Sequence, residues 1–230
     1  MADDSYESSK PGCFSRIVSL IITVVFFGAG VCIFLVAQPQ DLSALKEAAS
    51  ASAPASTREM KAVLQNAIDR GYPVPLTEAQ INQWLGRTVV GKQGGPFKLD
   101  TSFKNVWVKL DENIAEIIME RDVMGYVFTS SMFLQIEKRE SAEGMHTEII
   151  LDGGPFHPSF PKPPRGGRLG QLVVPQGFLL LLMPAYEKLA VLFKEEIDLG
   201  FREMSSIKIE KGKLVLDPRP HPEADSLLPN

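Results

Sequence analysis

The chain has 230 residues and a formal net charge of −4 at pH 7. This charge balance gives no electrostatic reason to expect a nucleic-acid partner. The two cysteines, Cys13 and Cys32, both lie near the N-terminus, so the rest of the chain must be held together by a hydrophobic core rather than by disulfides. If such a cysteine-free domain is exported from the cytoplasm, it is more typical of bacterial than of eukaryotic proteins.

The first predicted element is an uncharged apolar segment, Ile17–Ala37, whose 21 residues would form a helix of about 31 Å. This length matches the hydrocarbon core of a bilayer and predicts one transmembrane helix in contact with membrane lipid. A cleaved signal peptide is the alternative. Its apolar stretch is usually shorter and ends in a small-x-small cleavage site, whereas Leu35 occupies the first of those positions here. The segment is therefore predicted to be an uncleaved, single-pass signal-anchor.

The basic residues around this segment predict its orientation. Arg16 directly precedes the apolar residues, whereas the nearest lysine after them, Lys46, is nine residues away. Positive charge at a membrane boundary favours the cytoplasmic side. We therefore expect residues 1–16 to be a cytoplasmic tail and the C-terminal part to lie outside the cytoplasm, in the cell envelope.

Three further regions follow the anchor. Residues 38–57 are rich in alanine, serine and proline and show no apolar face to bury, which predicts a spacer, partly helical around 42–49, that holds the domain off the membrane. Residues 58–218 are predicted to form the exported domain. Residues 219–230 are expected to be a flexible C-terminal tail.

The exported domain begins with two predicted helices. Apolar residues recur at helical spacing over 60–68, and Gly71 follows the end of that helix. A second, short helix begins at Thr77, which forms a capping box with Gln80. Gly86 is expected near the end of this second helix.

Beyond Gly95 the hydrophobic period changes to two, which predicts an antiparallel meander. The predicted strands are Val106–Leu110, Ile114–Val123, Tyr126–Lys138 and Met145–Leu151, followed much later by a hairpin that turns at Lys211 and Gly212.

Between the meander and the last hairpin lies an apolar segment, Gln176–Gly200, which predicts a helix of about 36 Å that is bent near Leu180 by Pro184. A second membrane span is disfavoured because Glu187 and Lys188 would lie inside the bilayer. Burial against the sheet is preferred. The predicted fold class is α+β, with the transmembrane helix followed by an antiparallel, strongly twisted sheet that wraps around one long apolar helix.

A search for catalytic chemistry finds no candidate residue. The three histidines do not stand at metal-ligand spacing with another histidine or cysteine, and no nucleophile elbow, phosphate loop or dinucleotide fingerprint occurs. We therefore expect a protein that is not an enzyme and uses neither metal nor cofactor. An enzyme acting on envelope polymers is the third and least favoured function.

Residues 152–169 contain five prolines and four glycines. The simpler interpretation is an irregular connection across the sheet edge. The alternative is a partner-contact loop in which two aromatic anchors and three basic residues face acidic lipid heads or a protein. These residues are Phe156, Phe160, Lys162, Arg165 and Arg168.

The apolar helix also has two interpretations. It is either plain core or one wall of a groove that shelters an acyl chain between helix and sheet. The candidate lipid-binding residues are Phe178, Leu179, Leu182, Leu189 and Phe193 on the helix, with Phe128 and Phe133 on the sheet.

Three short motifs resemble the YpmS-like family of bacterial single-span membrane proteins with an exported domain. Leu76–Leu85 resembles the start of that family's domain, Gly170–Pro175 its lead-in to an apolar helix, and Ile207–Leu214 its last hairpin. The proline-rich loop and the alanine-rich spacer depart from the family. Similar arrangements in tubular lipid-binding proteins hold lipid in an apolar channel, so the resemblance implies a lipid ligand and supplies no catalytic residue.

The sequence thus predicts a membrane-anchored, non-enzymatic envelope protein whose exported domain binds an apolar ligand, such as lipid, or a partner protein. The alternative is a structural scaffold of an envelope assembly, with a fully packed core and its contacts in residues 152–169.

Overall fold

A computed structural model describes residues 13–51, 60–92, 103–141, 144–151 and 165–219 of the chain. In this part of the chain the fold is α+β: one apolar helix comes first, and shorter helices pack on two antiparallel sheets. This architecture confirms the predicted class. The sheets are open, and they do not enclose a single long helix.

Helix α1 spans Cys13–Ala37 and confirms the apolar helix predicted at 17–37. Within the described residues it is the one helix long and apolar enough to cross a membrane, and its apolar stretch is not buried in the fold. A helix that is apolar on every side requires an apolar environment. The protein itself does not provide one here.

Helix α2, Ser43–Ala51, follows at once and packs on the main sheet. A small buried cluster joins the two, consisting of Leu42, Leu45, Ala49, Trp107 and Ile118. The partial helix predicted around 42–49 is present as α2, and it packs on the sheet because Leu42, Leu45 and Ala49 form a narrow apolar stripe that the alanine-rich composition obscures. Residues 52–59 lie outside the described residues.

The next elements are α3, Met60–Arg70, strand β1, Val74–Thr77, and α4, Glu78–Lys92. The predicted capping box is present, since Thr77 N donates to Gln80 Oε1 (2.9 Å) and Gln80 N donates to Thr77 Oγ1 (3.2 Å). Helix α4 continues past Gly86 to residue 92, so the predicted end near Gly86 is wrong. A single glycine weakens a helix without ending it when neighbouring residues pack well.

The main sheet has the strand order β2-β3-β4-β6-β7, and β5 also pairs with β4. Its strands are β2, Phe103–Asp111; β3, Ile114–Val123; β4, Tyr126–Ser141; β5, Gly144–Leu151; β6, Arg165–Leu169; and β7, Leu172–Pro175. The antiparallel meander of β2 to β5 confirms the prediction. Strands β6 and β7 were not predicted.

The small sheet has the order β1-β9-β8, with β8 at Ser206–Glu210 and β9 at Lys213–Asp217, which confirms the last hairpin. It meets the main sheet at the β2–β3 turn, where Asn113 N donates to Ile209 O and Gly212 N donates to Leu110 O, both at 3.0 Å. We call this end of the main sheet the distal end. The opposite end, at the β3–β4 turn, is the proximal end.

The segment predicted as one long helix is three helices: a 3₁₀ helix, Gln176–Leu181, then α5, Met183–Leu192, and α6, Lys194–Arg202. The prediction of a single bent helix is therefore wrong. Pro184 stands in the first turn of α5, where its missing N–H removes no helical hydrogen bond, so it begins a helix instead of bending one.

The hydrophobic core lies between these helices and one face of the main sheet, which we call the inner face. Helix side chains in this core include Leu179, Tyr186, Leu189 and Phe193, and sheet side chains include Val106, Val108, Met119 and Met132. Strand residues alternate between the two faces of a sheet. The strand residues that alternate with these core positions therefore point to the outer face, which α2 covers.

Helix α4 covers the free edge of β2. Asn82 Nδ2 donates to Val108 O (2.8 Å) and Val108 N donates to Asn82 Oδ1 (2.6 Å), while Leu110 N donates to Glu78 Oε2 (2.6 Å). Two side chains thus replace a neighbouring strand and satisfy an edge that would otherwise be unpaired.

Candidate functional site

The end of α1 is bonded directly to the sheet. Gln171 N donates to Leu35 O (3.0 Å), and Gly170 N donates to Thr129 O (2.8 Å). Gly170 has φ +55, and a Cβ built on it would overlap the carbonyl oxygens of Leu35, Val36 and Gln38. Only glycine fits this left-handed, crowded position. Helix α1 therefore ends on the β6–β7 turn and not in a free linker.

The β6–β7 turn and the β3–β4 turn both lie at the proximal end. Strand β6 runs antiparallel to β4 with Leu169 opposite Ser130, and β4 begins at Tyr126, next to the β3–β4 turn. The C-terminal end of α1 is therefore at the proximal end as well.

A pocket of about 240 Å³ lies on the inner face near this end, between α5 and the sheet. Its apolar walls come from Phe103, Met119, Leu181, Pro184, Ala185 and Leu189. Two basic residues, Arg121 and Lys188, complete the lining, and none of the described residues that form it is acidic. The pocket thus joins apolar walls to two positive charges.

Arg121 is the unusual member of this lining. Its register partners are Phe103 on β2 and Phe128 on β4, and it shares the inner face with Met119. Its Nε is buried and has no hydrogen-bond partner among the described residues. A buried N–H donor without a partner is costly, and an anion that accepts from it removes that cost.

Tyr186 lies behind the pocket, on α5. Its hydroxyl is 3.0 Å from Ile117 O and 3.1 Å from Ser130 O, and it donates to these strand carbonyls. Burial raises the pKa of this phenol well above its ordinary value. The hydroxyl therefore stays protonated and fixes α5 on the sheet.

The outer face carries two buried carboxylates that hold α2 and the chain after α1 in place. Glu120 accepts from Trp107 Nε1 (3.0 Å) and pairs with Lys46 (3.1 Å). Glu116 accepts from Ser131 Oγ (2.6 Å), and Arg168 Nε lies 3.4 Å from it. Each buried charge has a cation and a neutral donor, as stable burial requires.

Gln40 ties the chain after α1 to the same outer face. Its backbone N donates to Thr129 Oγ1 (2.9 Å), and its Nε2 donates to Ser131 Oγ (3.2 Å). The end of α1 is thus fixed at the β6–β7 turn, and the chain that follows it is fixed on β4.

An open depression of about 740 Å³ lies between α2 and α4, and its lining includes Lys46, Arg87 and Trp107. It is wider and shallower than the inner-face pocket. Its basic side chains already have roles: Lys46 pairs with Glu120, and Arg87 has interactions within the fold. The depression is therefore the weaker ligand site.

The chain matches no known family model, no curated protein and no solved structure. The resemblance to the YpmS-like family therefore stays a prediction.

The predicted lipid-binding residues are only partly brought together. Leu179, Leu189 and Phe193 are buried in the core, and Leu182 packs against it. Among these, Leu189 lines the inner-face pocket.

The other three predicted residues lie elsewhere. Phe178 is 52% exposed on the 3₁₀ helix. Phe128 is on the inner face opposite Arg121. Phe133 is opposite Glu116 and lies under the guanidinium of Arg168 at 5.7 Å. It is therefore on the outer face and is separated from the others by the sheet.

Most of the predicted partner-contact loop, including Phe156, Phe160 and Lys162, lies outside the described residues. Arg165 is the first residue of β6. Arg168 is also in β6 and pairs with Glu116, and its predicted contact with lipid heads or a partner stays a prediction. Its charge is used inside the fold, because a buried carboxylate requires a counter-charge.

Sequence reasoning missed Arg121 and Lys188. A signal for Arg121 was present: in β3, residues 115, 117 and 119 form an apolar face, and Arg121 continues that face with a charge. A charged residue on the buried side of a strand indicates a partner or a site. Lys188 has no comparable signal, since basic residues are common on helices.

Proposed function

We propose that this chain is a non-enzymatic, membrane-anchored protein whose domain lies outside the cytoplasm and binds an anionic lipid of its own bilayer. Arg121 and Lys188 would hold the headgroup, and the apolar walls of the inner-face pocket would hold the adjoining part of the acyl chain. The observation that carries the proposal is the buried Arg121 Nε without a partner, in a pocket lined otherwise by apolar residues and Lys188.

An uncleaved anchor is supported by the contacts at the end of α1. The carbonyls of Leu35, Val36 and Gln38 enclose Gly170, and Leu35 accepts from Gln171. Cleavage after Ala37 would separate Leu35 and Val36 from the fold. Signal peptides are removed from mature proteins, so a helix whose last turn belongs to the folded domain is better explained as an anchor.

The position of the pocket along the anchor supports a membrane lipid as the ligand. If Arg16 marks one membrane boundary, a hydrocarbon core of about 30 Å at 1.5 Å per residue ends about 20 residues later, at the turn of α1 that is bonded to Gln171. Arg121 pairs with Phe128, one residue from the Thr129 that accepts from Gly170. An anchor placed in this way would put the pocket at the level of the lipid headgroups.

The chemistry of the lining selects an anionic amphiphile. Guanidinium groups bind phosphate or carboxylate through parallel charge-assisted hydrogen bonds, and Lys188 adds a second positive charge. Leu181, Pro184 and Leu189 provide apolar contact for methylene groups. A zwitterionic headgroup would bring its own cation close to both basic residues, so an anionic one is preferred.

The volume of the pocket indicates a site that holds part of a lipid, and not one that encloses and transports a whole lipid. A volume of about 240 Å³ is below the range of roughly 300–1,000 Å³ of pockets that enclose drug-sized ligands. A whole lipid would not fit. A headgroup and the first part of one chain can be held while the rest stays in the bilayer.

Native mass spectrometry of the full chain, released from bilayers of equal parts phosphatidylcholine and phosphatidylglycerol, tests the proposal. We expect retained phosphatidylglycerol on the wild-type chain and about tenfold weaker retention for Arg121→Gln, because a hydrogen bond to a charged group contributes about 1.5–3 kcal/mol. Urea unfolding followed by tryptophan fluorescence should show no loss of stability in this variant, since the change removes a buried Nε that has no partner among the described residues.

The matched control is Arg70→Gln, which removes the same charge from an exposed position at the end of α3. It should retain lipid as the wild type does. Equal retention of both lipids by the wild-type chain, or equal loss in both variants, would contradict a headgroup site at Arg121.

A further inference from the structure

The β3–β4 turn has an unusual residue at its tip. Met124 has φ +53 and Gly125 has φ +84, as in a two-residue turn with both central residues left-handed. Asparagine, aspartate or glycine normally takes the first of these positions, because a left-handed conformation costs a bulkier residue about 1–2 kcal/mol. The other non-glycine residue with positive φ in the described part of the chain, Asn113, follows that preference.

The side chains of this turn are exposed although they are apolar or aromatic. Met124 is 95% exposed and Tyr126 is 79% exposed. No charged residue stands between Asp122 and Thr129 in the sequence. At the base of the turn, Asp122 Oδ1 accepts from Gly125 N (2.8 Å) and Asp122 Oδ2 pairs with Lys104 (3.2 Å). The tip is therefore uncharged, and the one acid beneath it is neutralised.

The turn extends beyond the point where the anchor meets the sheet. Gly170 is bonded to Thr129, and Tyr126 is three residues closer to the tip, which is about 10 Å along a strand. Helix α1 is not buried in the fold, and its last turn is bonded at this same end of the sheet. A bilayer whose surface meets α1 at this turn would therefore lie within reach of the tip.

We propose that the β3–β4 turn is a second membrane contact, in which Met124 enters the edge of the hydrocarbon region and Tyr126 lies among the headgroups. This inference rests on the proposed anchor and not on the proposed lipid pocket. Tyrosine is favoured at membrane interfaces, where its ring and hydroxyl meet different surroundings. The contact would explain why a strained, exposed methionine stands at the tip.

Two points of attachment would fix the tilt of the domain. The last turn of α1 alone provides one point, about which the sheet could rotate. Arg121, which lines the inner-face pocket, is three residues from Met124 at the tip. With the β3–β4 turn also in the bilayer, the pocket would be held facing the headgroups.

Spin-label accessibility in liposomes tests this contact. The full chain, with Cys13→Ser and Cys32→Ala, is reconstituted in equal parts phosphatidylcholine and phosphatidylglycerol, and a nitroxide is attached at Met124→Cys. Power saturation with oxygen, which concentrates in lipid, and with a water-soluble nickel chelate should show high oxygen and several-fold lower nickel accessibility at this site.

Two matched sites make the result decisive. Asn113→Cys labels the turn at the other end of β3, which has the same left-handed backbone, and it should be accessible to nickel. Phe26→Cys labels the exposed middle of α1 and should be accessible to oxygen alone. If the label at position 124 is as accessible to nickel as the label at position 113, while the label at position 26 is in lipid, the second contact is overturned and the anchor is retained. Nickel access to label 26 overturns the anchor and this inference together.

Discussion

Asn82→Ala is expected to lower the free energy of unfolding by about 3 kcal/mol, because it leaves the N–H and the C=O of Val108 unsatisfied and a buried unsatisfied polar group costs about 1–3 kcal/mol. Asn82 is 2% exposed and Val108 is 8% exposed, so water cannot replace the lost bonds. The change would also open the edge of β2, to which α4 is attached. Urea unfolding of the full chain in detergent, followed by tryptophan fluorescence, measures the effect.

The control for this change is Gln65→Ala. Gln65 is also an amide on a helix, but it is exposed and bonds to Asp69 one turn away. Its replacement should change the free energy of unfolding by less than about 0.5 kcal/mol. Equal shifts in the two variants would show that α4 does not stabilise the sheet edge through Asn82.

Gly170→Ala is expected to separate the end of α1 from the sheet. The left-handed conformation alone costs alanine about 1–2 kcal/mol, and the new Cβ would overlap three carbonyl oxygens of residues 35–38. Moving the anchor away relieves this overlap at the expense of the hydrogen bond from Gln171 to Leu35. Hydrogen exchange in nanodiscs should therefore show loss of protection at the amide of Gln171, with the amides of β2 and β3 unchanged.

Gly212→Ala is the control, because it imposes the cost of a left-handed alanine without the steric overlap that Gly170→Ala adds. Gly212 has φ +72, and a Cβ there would meet nothing within 4 Å. Its replacement should destabilise the β8–β9 turn but leave the exchange of Gln171 as in the wild type. Protection of Gln171 that survives Gly170→Ala would contradict a fixed junction between anchor and domain.

Sequence reasoning succeeded where local chemistry decides the structure. The capping box of Thr77 and Gln80 needs only residues three apart, and the turns at 112–113 and 211–212 separate strands with clear alternation. In each case one short segment contains the whole reason for its conformation.

Sequence reasoning failed where contacts between distant segments decide the structure. The glycines of β6 are typical of a loop, so the strand was not predicted. In the structure, a Cβ at Gly166 would overlap Gln176 and Leu179, and a Cβ at Gly167 would overlap the backbone of Ser131. Close approach of other segments requires these glycines. The burial of helix α2 was missed for a similar reason, since its stripe of Leu42, Leu45 and Ala49 gains significance only beside Trp107 and Ile118.

The predicted site and the pocket lie in the same region of the fold, but most of their residues differ. The sequence indicated an apolar ligand between a sheet and the helices after residue 176, and a pocket with apolar walls lies there. The residues differ, because most of the predicted wall forms the core. Arg121 enters the pocket through the pairing of β3 with β2 and β4, a relation between segments that no single stretch of sequence contains.

The most direct test of the account is to map where a bilayer lipid touches the domain. Phosphatidylglycerol with a photoreactive diazirine near the glycerol end of one acyl chain is incorporated with the full chain in nanodiscs, irradiated, and the cross-linked peptides are identified. We predict cross-links to the segment from Leu181 to Leu189 and to Met119, in addition to those on α1, and their loss in Arg121→Gln. Cross-links confined to α1, or pocket cross-links unchanged in Arg121→Gln, would contradict lipid binding at this site.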